Sequence, residues 1–453
     1  MGMAAPRIIS FSDLERWDVK YFFGQIKSKY PLVSLAEFVT EHNEKVRPYD
    51  SPQETFKILG VNNTNGIFHA YDAQGKDIKQ PYKKVSAGDF AYNPYRINVG
   101  SIGWIPSEHE GAYISPAYVV FSIDKTVVFP EVFWFILKAS FFNQTLRAAT
   151  AGSVRMNLTY PLLETLKIPI PPLSVQQKIV AYWEATIAKT CLLEDQARAT
   201  IDESSHTFIH GLCLSIPKKQ ESEKVFSAQW KDFDRWSVSY NQAAITMLDL
   251  SKGKYPVVEL GAILDLVQYG TSEKTNSSGE GVCVIRMNNI IDGDLDLSNL
   301  KYLKVSKDIE VSLKLLNGDV LINRTNSKEL VGKCAVFDKN ETYIFASYLI
   351  RLRVDAEKAD PHFVAFTING PIGRQQINAL SRQIIGQANI NSQEIRSLKL
   401  PLPDLKVQQK IIKKVNKARH KAASLRTEAK ELLGKTSTEI EQMILGTRPV
   451  ENI

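Results

Sequence analysis

The sequence predicts an α+β chain in which two pseudo-repeated α/β units alternate with two long helices able to pair as a coiled coil. Three observations predict it: an ordered internal repeat, a proline-rich junction closing each copy, and a long proline-free stretch with an apolar heptad behind each junction. The repeat has five landmarks. Arg16-Trp17-Asp18-Val19-Lys20-Tyr21 returns as Arg235-Trp236-Ser237-Val238-Ser239-Tyr240, 219 residues on. Lys29-Tyr30-Pro31-Leu32-Val33 returns as Lys254-Tyr255-Pro256-Val257-Val258, 225 on. Gly88-Asp89 returns as Gly318-Asp319, 230 on. Ile168-Pro169-Ile170-Pro171-Pro172-Leu173 and Val175-Gln176-Gln177-Lys178-Ile179 both return 232 on, as Leu400-Pro401-Leu402-Pro403-Asp404-Leu405 and Val407-Gln408-Gln409-Lys410-Ile411. A constant order with slowly growing offsets means one unit duplicated, with small insertions.

Within each copy the elements follow in order. Short β-type runs come first, at residues 112–115 into 118–121 and at 343–345 into 349–352, with Gly and Asn marking the turns between them. Pro169, Pro171 and Pro172 then close the globular part, because proline fixes φ and removes a hydrogen-bond donor. Ser174-Val175-Gln176-Gln177 fits a capping box and predicts a helix from Ser174 to near Leu214. Its seam is Ile179, Trp183, Thr186, Thr190, Leu193, Ala197 and Thr200. The second helix is predicted from near Lys406 to Leu445, with a seam at Ile411, Val415, Ala418, Ala422, Leu425, Ala429, Leu432 and Thr436 in alternating steps of four and three. The pairing contacts expected to matter most are Ile179, Trp183, Leu193, Ile411, Val415, Leu425 and Leu432. Residues 174–215 carry a net charge of −2 and residues 405–446 a net +6, an asymmetry that would steer the two helices together.

Composition narrows the class. In 453 residues, 44% hydrophobic and 23% charged are the proportions of globular domains, which excludes a disordered, collagenous or low-complexity chain. The net charge of +7 permits a polyanionic partner without requiring one. Cys191, Cys213, Cys283 and Cys334 show no C-x-x-C spacing and read as reduced thiols rather than a disulfide or zinc framework. Residues 1–10 lack a signal-peptide pattern, and the most apolar stretch, 127–142, is broken by Pro130, Glu131 and Lys138, so a cytoplasmic protein with no membrane contact is expected.

Catalytic motifs are incomplete. Asn93-Pro94-Tyr95-Arg96 is one proline short of the Asn-Pro-Pro-Tyr of adenine methyltransferases, and no methionine-cofactor loop precedes it. Pro403-Asp404 with Glu428-Ala429-Lys430 matches a loose nuclease pattern, but helix rise puts the two parts more than about 30 Å apart. Gly332-Lys333 lacks the upstream glycine of a phosphate loop, and the seven histidines have no metal-ligand spacing. No catalysis, metal or cofactor is expected of this chain.

Polar turn clusters carry the side chains that read base edges and hold phosphates. In the first copy these are Lys83, Lys84, Asn93, Tyr95, Arg96 and Asn98, with Arg147, Arg155 and Asn157 later. In the second they are Gln268, Tyr269, Thr271, Ser272 and Lys274, then Asn288 and Asn289, then Asn323, Arg324, Asn326 and Lys328. Asn93 and Asn323 each stand five residues after the repeated glycine, which suits a shared loop of variable polar content at a DNA-reading surface.

With the two proline-rich junctions, the runs 88–103 and 114–121 make the chain resemble the specificity subunit of type I restriction–modification systems, over residues 17–445. The resemblance implies a target-recognition domain at 1–172, a spacer helix at 173–217, a second recognition domain at 218–404 and a second spacer helix at 405–453, the helices packing antiparallel. It also implies that each recognition domain reads one half of a bipartite duplex sequence. Two methyltransferase subunits would dock and bring S-adenosylmethionine to flipped adenines, and translocating restriction subunits would join for cleavage. A type IIB-like or phage-defence methylation complex would use the same architecture. A coiled-coil scaffold that binds proteins alone is the reading from another class, and it expects little affinity for duplex DNA. If the helices act as a ruler, lengthening both by one turn, about 5.4 Å, should shift the preferred gap between half-sites by one to two base pairs. Selection of bound targets from a randomised library measures that gap, and an unchanged gap removes the helices from the ruler role.

Overall fold

A computed structural model describes residues 26–63, 66–97, 100–149, 157–215, 248–384 and 387–450. The Arg16-Trp17 and Arg235-Trp236 landmarks lie outside them. The chain divides into two compact units, Met1–Leu193 with Thr427–Ile453, and Glu194–Arg426. Both boundaries fall inside the long helices, so each unit owns half of each helix.

In the first unit, strand Leu32–Ser34 pairs antiparallel with Lys167–Pro169, Leu32 opposite Pro169. In the second, Val257–Glu259 pairs with Lys399–Pro401, Val257 opposite Pro401. Two landmarks of the sequence repeat are therefore the two strands of one small sheet, and the prolines sit at its end, where a missing donor costs nothing. Each unit then builds a four-stranded antiparallel sheet of the same order. The first runs Val39–Glu41, Val119–Ile123, Phe90–Tyr92, Ile102–Trp104; the second runs Leu264–Tyr269, Leu349–Val354, Val320–Asn323, Cys334–Val336. Of the residues expected as β-type runs, all but Ala112, Ser115 and Tyr118 lie in these sheets or in strands Tyr113–Ile114 and Tyr343–Phe345.

A helical hairpin belongs to each core: Pro130–Lys138 with Ser140–Ala149, and Pro361–Asn369 with Pro371–Leu380. In the first unit Phe90 meets Phe133 edge-on at 5.1 Å and lies near-parallel to Phe121 at 5.7 Å, an arrangement that adds to area burial. The repeated glycines have φ of +93° and +92°, a backbone that side chains disfavour. The aspartate that follows each one closes the turn: Ser86 N–H donates to Asp89 Oδ2 at 3.0 Å, and Leu316 N–H to Asp319 Oδ2 at 2.8 Å.

The copies differ in their second sheets. The first has five strands, in the order Lys45–Val46, Tyr82–Lys84, Tyr113–Ile114, Thr55–Asn62, Gly66–Gln74. The second has three, Lys301–Leu303, Val282–Ile285 and Tyr343–Phe345, and adds a short hairpin, Ile290–Ile291 with Asp294–Leu295. That hairpin turns at Asp292 and Gly293, both with positive φ, and its tip is fastened to the second long helix. Arg419 Nη2 donates to Asp294 Oδ2 at 2.7 Å and to the Asp292 carbonyl at 3.0 Å, and Arg426 Nη1 to Asp292 Oδ2 at 3.0 Å.

The long helices span Leu173–Gly211 and Leu405–Leu445. Both seams are buried or half-buried along their length, including all seven residues expected to matter most, because a period of 3.5 keeps one face turned inward. Within the first unit Tyr182 hydroxyl bonds Glu439, and the Thr186 and Thr436 hydroxyls meet at 3.2 Å. Within the second, Glu194 faces Arg426 at 3.8 Å, and Gly211 abuts Ile411. Residue numbers rise along one helix as they fall along the other, so each half-pair is antiparallel. The charge asymmetry contributes less than expected: among the described residues Arg426–Glu194 is the one ion pair between the helices, and the seam carries the contact.

The capping box at Ser174 is not formed. The helix begins at Leu173, and Ser174 and Gln177 are exposed. Gln176 is instead fully buried: Phe129 N–H donates to its Oε1 at 2.8 Å, and its Nε2 donates to the carbonyls of Val127 at 3.0 Å and Pro171 at 2.8 Å. Gln408 repeats this, receiving Asp360 N–H at 2.9 Å and donating to Lys358 O at 3.1 Å and Pro403 O at 2.7 Å. The first glutamine of each Gln-Gln pair thus ties the helix start, the proline junction and the entrance of the helical hairpin together. A buried polar group left unpaired costs about 1–3 kcal/mol, so Gln408→Leu should lower unfolding stability by at least about 2 kcal/mol in urea titration. An unchanged midpoint would mean that the three groups find other partners.

Candidate nucleic-acid interface

In the second unit, strands Leu264–Tyr269 and Val320–Asn323 end at the edge where Leu349–Val354 begins, with Tyr269 opposite Ile350 and Asn323 opposite Leu349. Polar side chains gather at this edge. Arg324 donates its N–H to Tyr348 O at 3.0 Å and accepts at its carbonyl from Ile390 N–H at 2.9 Å, so two neighbouring segments fix its backbone. Its guanidinium lies 5.0 Å above the Tyr269 ring. Tyr269 in turn accepts Ser392 N–H at its hydroxyl, 3.1 Å away. Thr271 N–H donates to Phe345 O at 3.0 Å, and its hydroxyl oxygen accepts Glu273 N–H at 3.1 Å, which holds the loop leading to exposed Lys274. Asn326 is half-buried, and Lys328 and Asn288 are exposed.

Two candidates of this unit are structural instead. Asn289 is buried: its Oδ1 accepts Arg286 N–H at 2.9 Å, and its Nδ2 donates to Asp296 O at 2.8 Å. Asn323 is 1% exposed inside the strand, out of reach of any ligand on the surface. Tyr348, 53% exposed beside Arg324, was missed by sequence reasoning. It stands 230 residues after Tyr118, the same offset as the repeated glycine, so the repeat itself carried the signal.

At the opposite end of the same strands lies an electrostatic network. Asp319, 1% exposed, accepts Arg353 Nε at 2.8 Å and Nη2 at 2.9 Å, with Arg351 Nη1 at 3.6 Å. The hydrogen bond to Asp319 raises the pKa of Arg353, whereas burial lowers that of Arg351. These arginines brace the sheet and are not free to bind a ligand.

The equivalent edge in the first unit carries less. Asn93 accepts Tyr95 N–H at its Oδ1, 3.0 Å away, and donates its own N–H to Ser101 O at 3.0 Å. The resulting turn presents Tyr95, 60% exposed, and Arg96. Lys84 is exposed too, but it leads into the Gly88 turn at the other end of strand Phe90–Tyr92, so the structure does not bring it to Tyr95 and Arg96. Lys83 is a correction: it is 4% exposed, 3.9 Å from Glu41, with a pKa lowered chiefly by burial, and it cannot reach a phosphate. Arg147 is exposed and Asn157 half-buried. Asn98 and Arg155 lie outside the described residues.

Among the described residues no group of three or more His, Cys, Asp or Glu is placed to hold a metal ion, and no helix is long and apolar enough to cross a membrane. All four cysteines are free.

The family described as "Type I restriction modification DNA specificity domain" matches residues 62–203 and 241–432. The chain is 24% identical over 284 residues to the type I restriction enzyme EcoKI specificity subunit of Escherichia coli K12, covering 61% of this chain and 56% of that protein. It is 25% identical over 283 residues to the StySPI specificity subunit of Salmonella potsdam, covering 61% and 56%. The matched region thus spans just over half the length of these two relatives. A crystal structure of the HsdS subunit from Thermoanaerobacter tengcongensis aligns over 92% of this chain and 97% of that one, at 17% identity and a TM-score of 0.39.

Exposed Lys274 and Lys328 suit phosphate contact. If this chain binds duplex DNA through them, Lys274→Gln or Lys328→Gln should weaken binding uniformly across sequences and reduce the slope of log affinity against log salt by about one. Fluorescence anisotropy at several salt concentrations measures this, and an unchanged slope would remove that lysine from the interface.

Proposed function

Since the chain belongs to the type I restriction–modification DNA specificity family, we propose that it is the sequence-reading subunit of such a complex. In this reading each recognition unit reads one half of a bipartite duplex target, and the chain carries no chemistry of its own. The methyl donor S-adenosylmethionine, base flipping and cleavage belong to methyltransferase and restriction subunits that dock on it. The paired long helices form the antiparallel coiled coil of this design, with the divisions 1–172, 173–217, 218–404 and 405–453. Double-stranded DNA is the ligand, and the cytoplasm is where the complex meets it.

One observation carries this reading: the two units repeat one sheet order and one glutamine anchor, but differ in the residues exposed at the equivalent sheet edge. A frame held constant while its polar edge varies is what independent reading of two different half-sites requires. The contacts that fit this role are Tyr95 and Arg96 in the first unit, and Tyr269, Thr271, Lys274, Asn288, Arg324, Asn326 and Lys328 in the second; Lys84 stands apart from them, at the other end of its sheet.

The test is modular. Residues 240–400 exchanged for the corresponding segment of another family member should change one half-site of the methylated sequence and leave the other intact. Methylation-sensitive sequencing of cells carrying the chimera with its partner subunits reads both halves at once. A change in both halves would contradict independent reading.

A further inference from the structure

We propose that Arg324 reads a guanine in the half-site of the second unit, through the major groove, as an arginine held in readiness by the Tyr269 ring. The inference rests on the reading that this chain binds DNA, and it names the base and the residue.

Among the described residues, Arg324 differs from its neighbours in that no hydrogen bond or ion pair engages its guanidinium. Every other buried or partly buried arginine described in this unit spends its guanidinium on the fold. Arg286 donates to Asn299 O, Arg351 to Lys314 O, Arg353 to Asp319, Arg374 to Val331 O and Arg419 to Asp294. Arg324 is half-buried, yet among the described residues its guanidinium meets no carboxylate or carbonyl, and its one partner is the face of Tyr269 at 5.0 Å. An aromatic face attracts the cation and aligns its plane, while leaving the N–H edge unused.

The setting limits how far that edge can wander. The Arg324 backbone is bonded on both sides, to Tyr348 and Ile390, and Tyr269 is held at its hydroxyl by Ser392 N–H. Such a fork loses little freedom on binding, and its two parallel donors match O6 and N7 of guanine, the commonest specific arginine contact. A phosphate needs only charge, which exposed Lys274 and Lys328 of the same unit supply. The first unit has Pro94 at the position 230 residues earlier, so this reader belongs to the second unit alone.

The experiment uses the full chain with its partner subunits and a duplex library randomised in both half-sites. Wild type should select a bipartite sequence containing a guanine in the half-site that exchanges with the second unit. Arg324→Gln should relax that position, cutting preference for guanine by roughly tenfold, while the other half-site is selected as before, which shows that the variant is folded. Tyr269→Leu, which keeps the charge and removes the ring, should relax the same position in part. Loss of affinity without any change of preference in Arg324→Gln would make Arg324 a phosphate contact and overturn the proposal, as would an unchanged selection. If wild type selects no sequence at all, the DNA-reading function itself is what fails.

Discussion

The fold depends on one buried amide in each unit. A proline-rich strand must hand over to a helix of about forty residues, and proline supplies no donor with which to pin that corner. Gln176 and Gln408 solve the problem from the helix side, each reaching into the core to satisfy two carbonyls and one N–H that the corner and the helical hairpin would otherwise leave unpaired. The hairpin covers the four-stranded sheet, and the sheet presents the variable edge. A glutamine at the foot of the helix therefore connects the orientation of the rod to the surface that varies.

Repetition made most of this architecture legible in advance. Both helices fall within a few residues of expectation because a heptad with no proline has few other solutions, and the two strands of the small terminal sheet are themselves two of the repeated landmarks. The capping motif misled, because a serine followed three residues later by a glutamine has the spacing of a box whatever the preceding chain does. Here the chain enters from prolines, and the helix starts one residue sooner, at Leu173.

At the polar edge the sequence was a coarser guide. Lys83, Asn289 and Asn323 have the chemistry of DNA contacts but are buried, and Asn289 is consumed by the backbone bonds of its own turn. Side-chain type alone does not distinguish an asparagine that reads a ligand from one that completes a loop. Whether an arginine is spent or idle is likewise set by three-dimensional neighbours: Arg324 and Arg353 look alike in the sequence, yet one lies on an aromatic ring and the other is locked to Asp319.

The fastening of the Asp292 hairpin to Arg419 and Arg426 bears on how such chains diversify. Half of that contact belongs to the hairpin, inside the segment that differs between the two copies, and half to the long helix, whose seam is common to both. A recombination joint between strand and helix would hand the arginines a new hairpin with no acidic tip, leaving two cations and a loose lobe. Donors that bring a carboxylate to the same turn, or breakpoints placed beyond Arg426, keep this fastening. Other exchanges forfeit only exposed ion pairs worth about 0–1 kcal/mol each, so the joint tolerates new lobes while favouring ancestry in larger blocks than the sheet alone would demand.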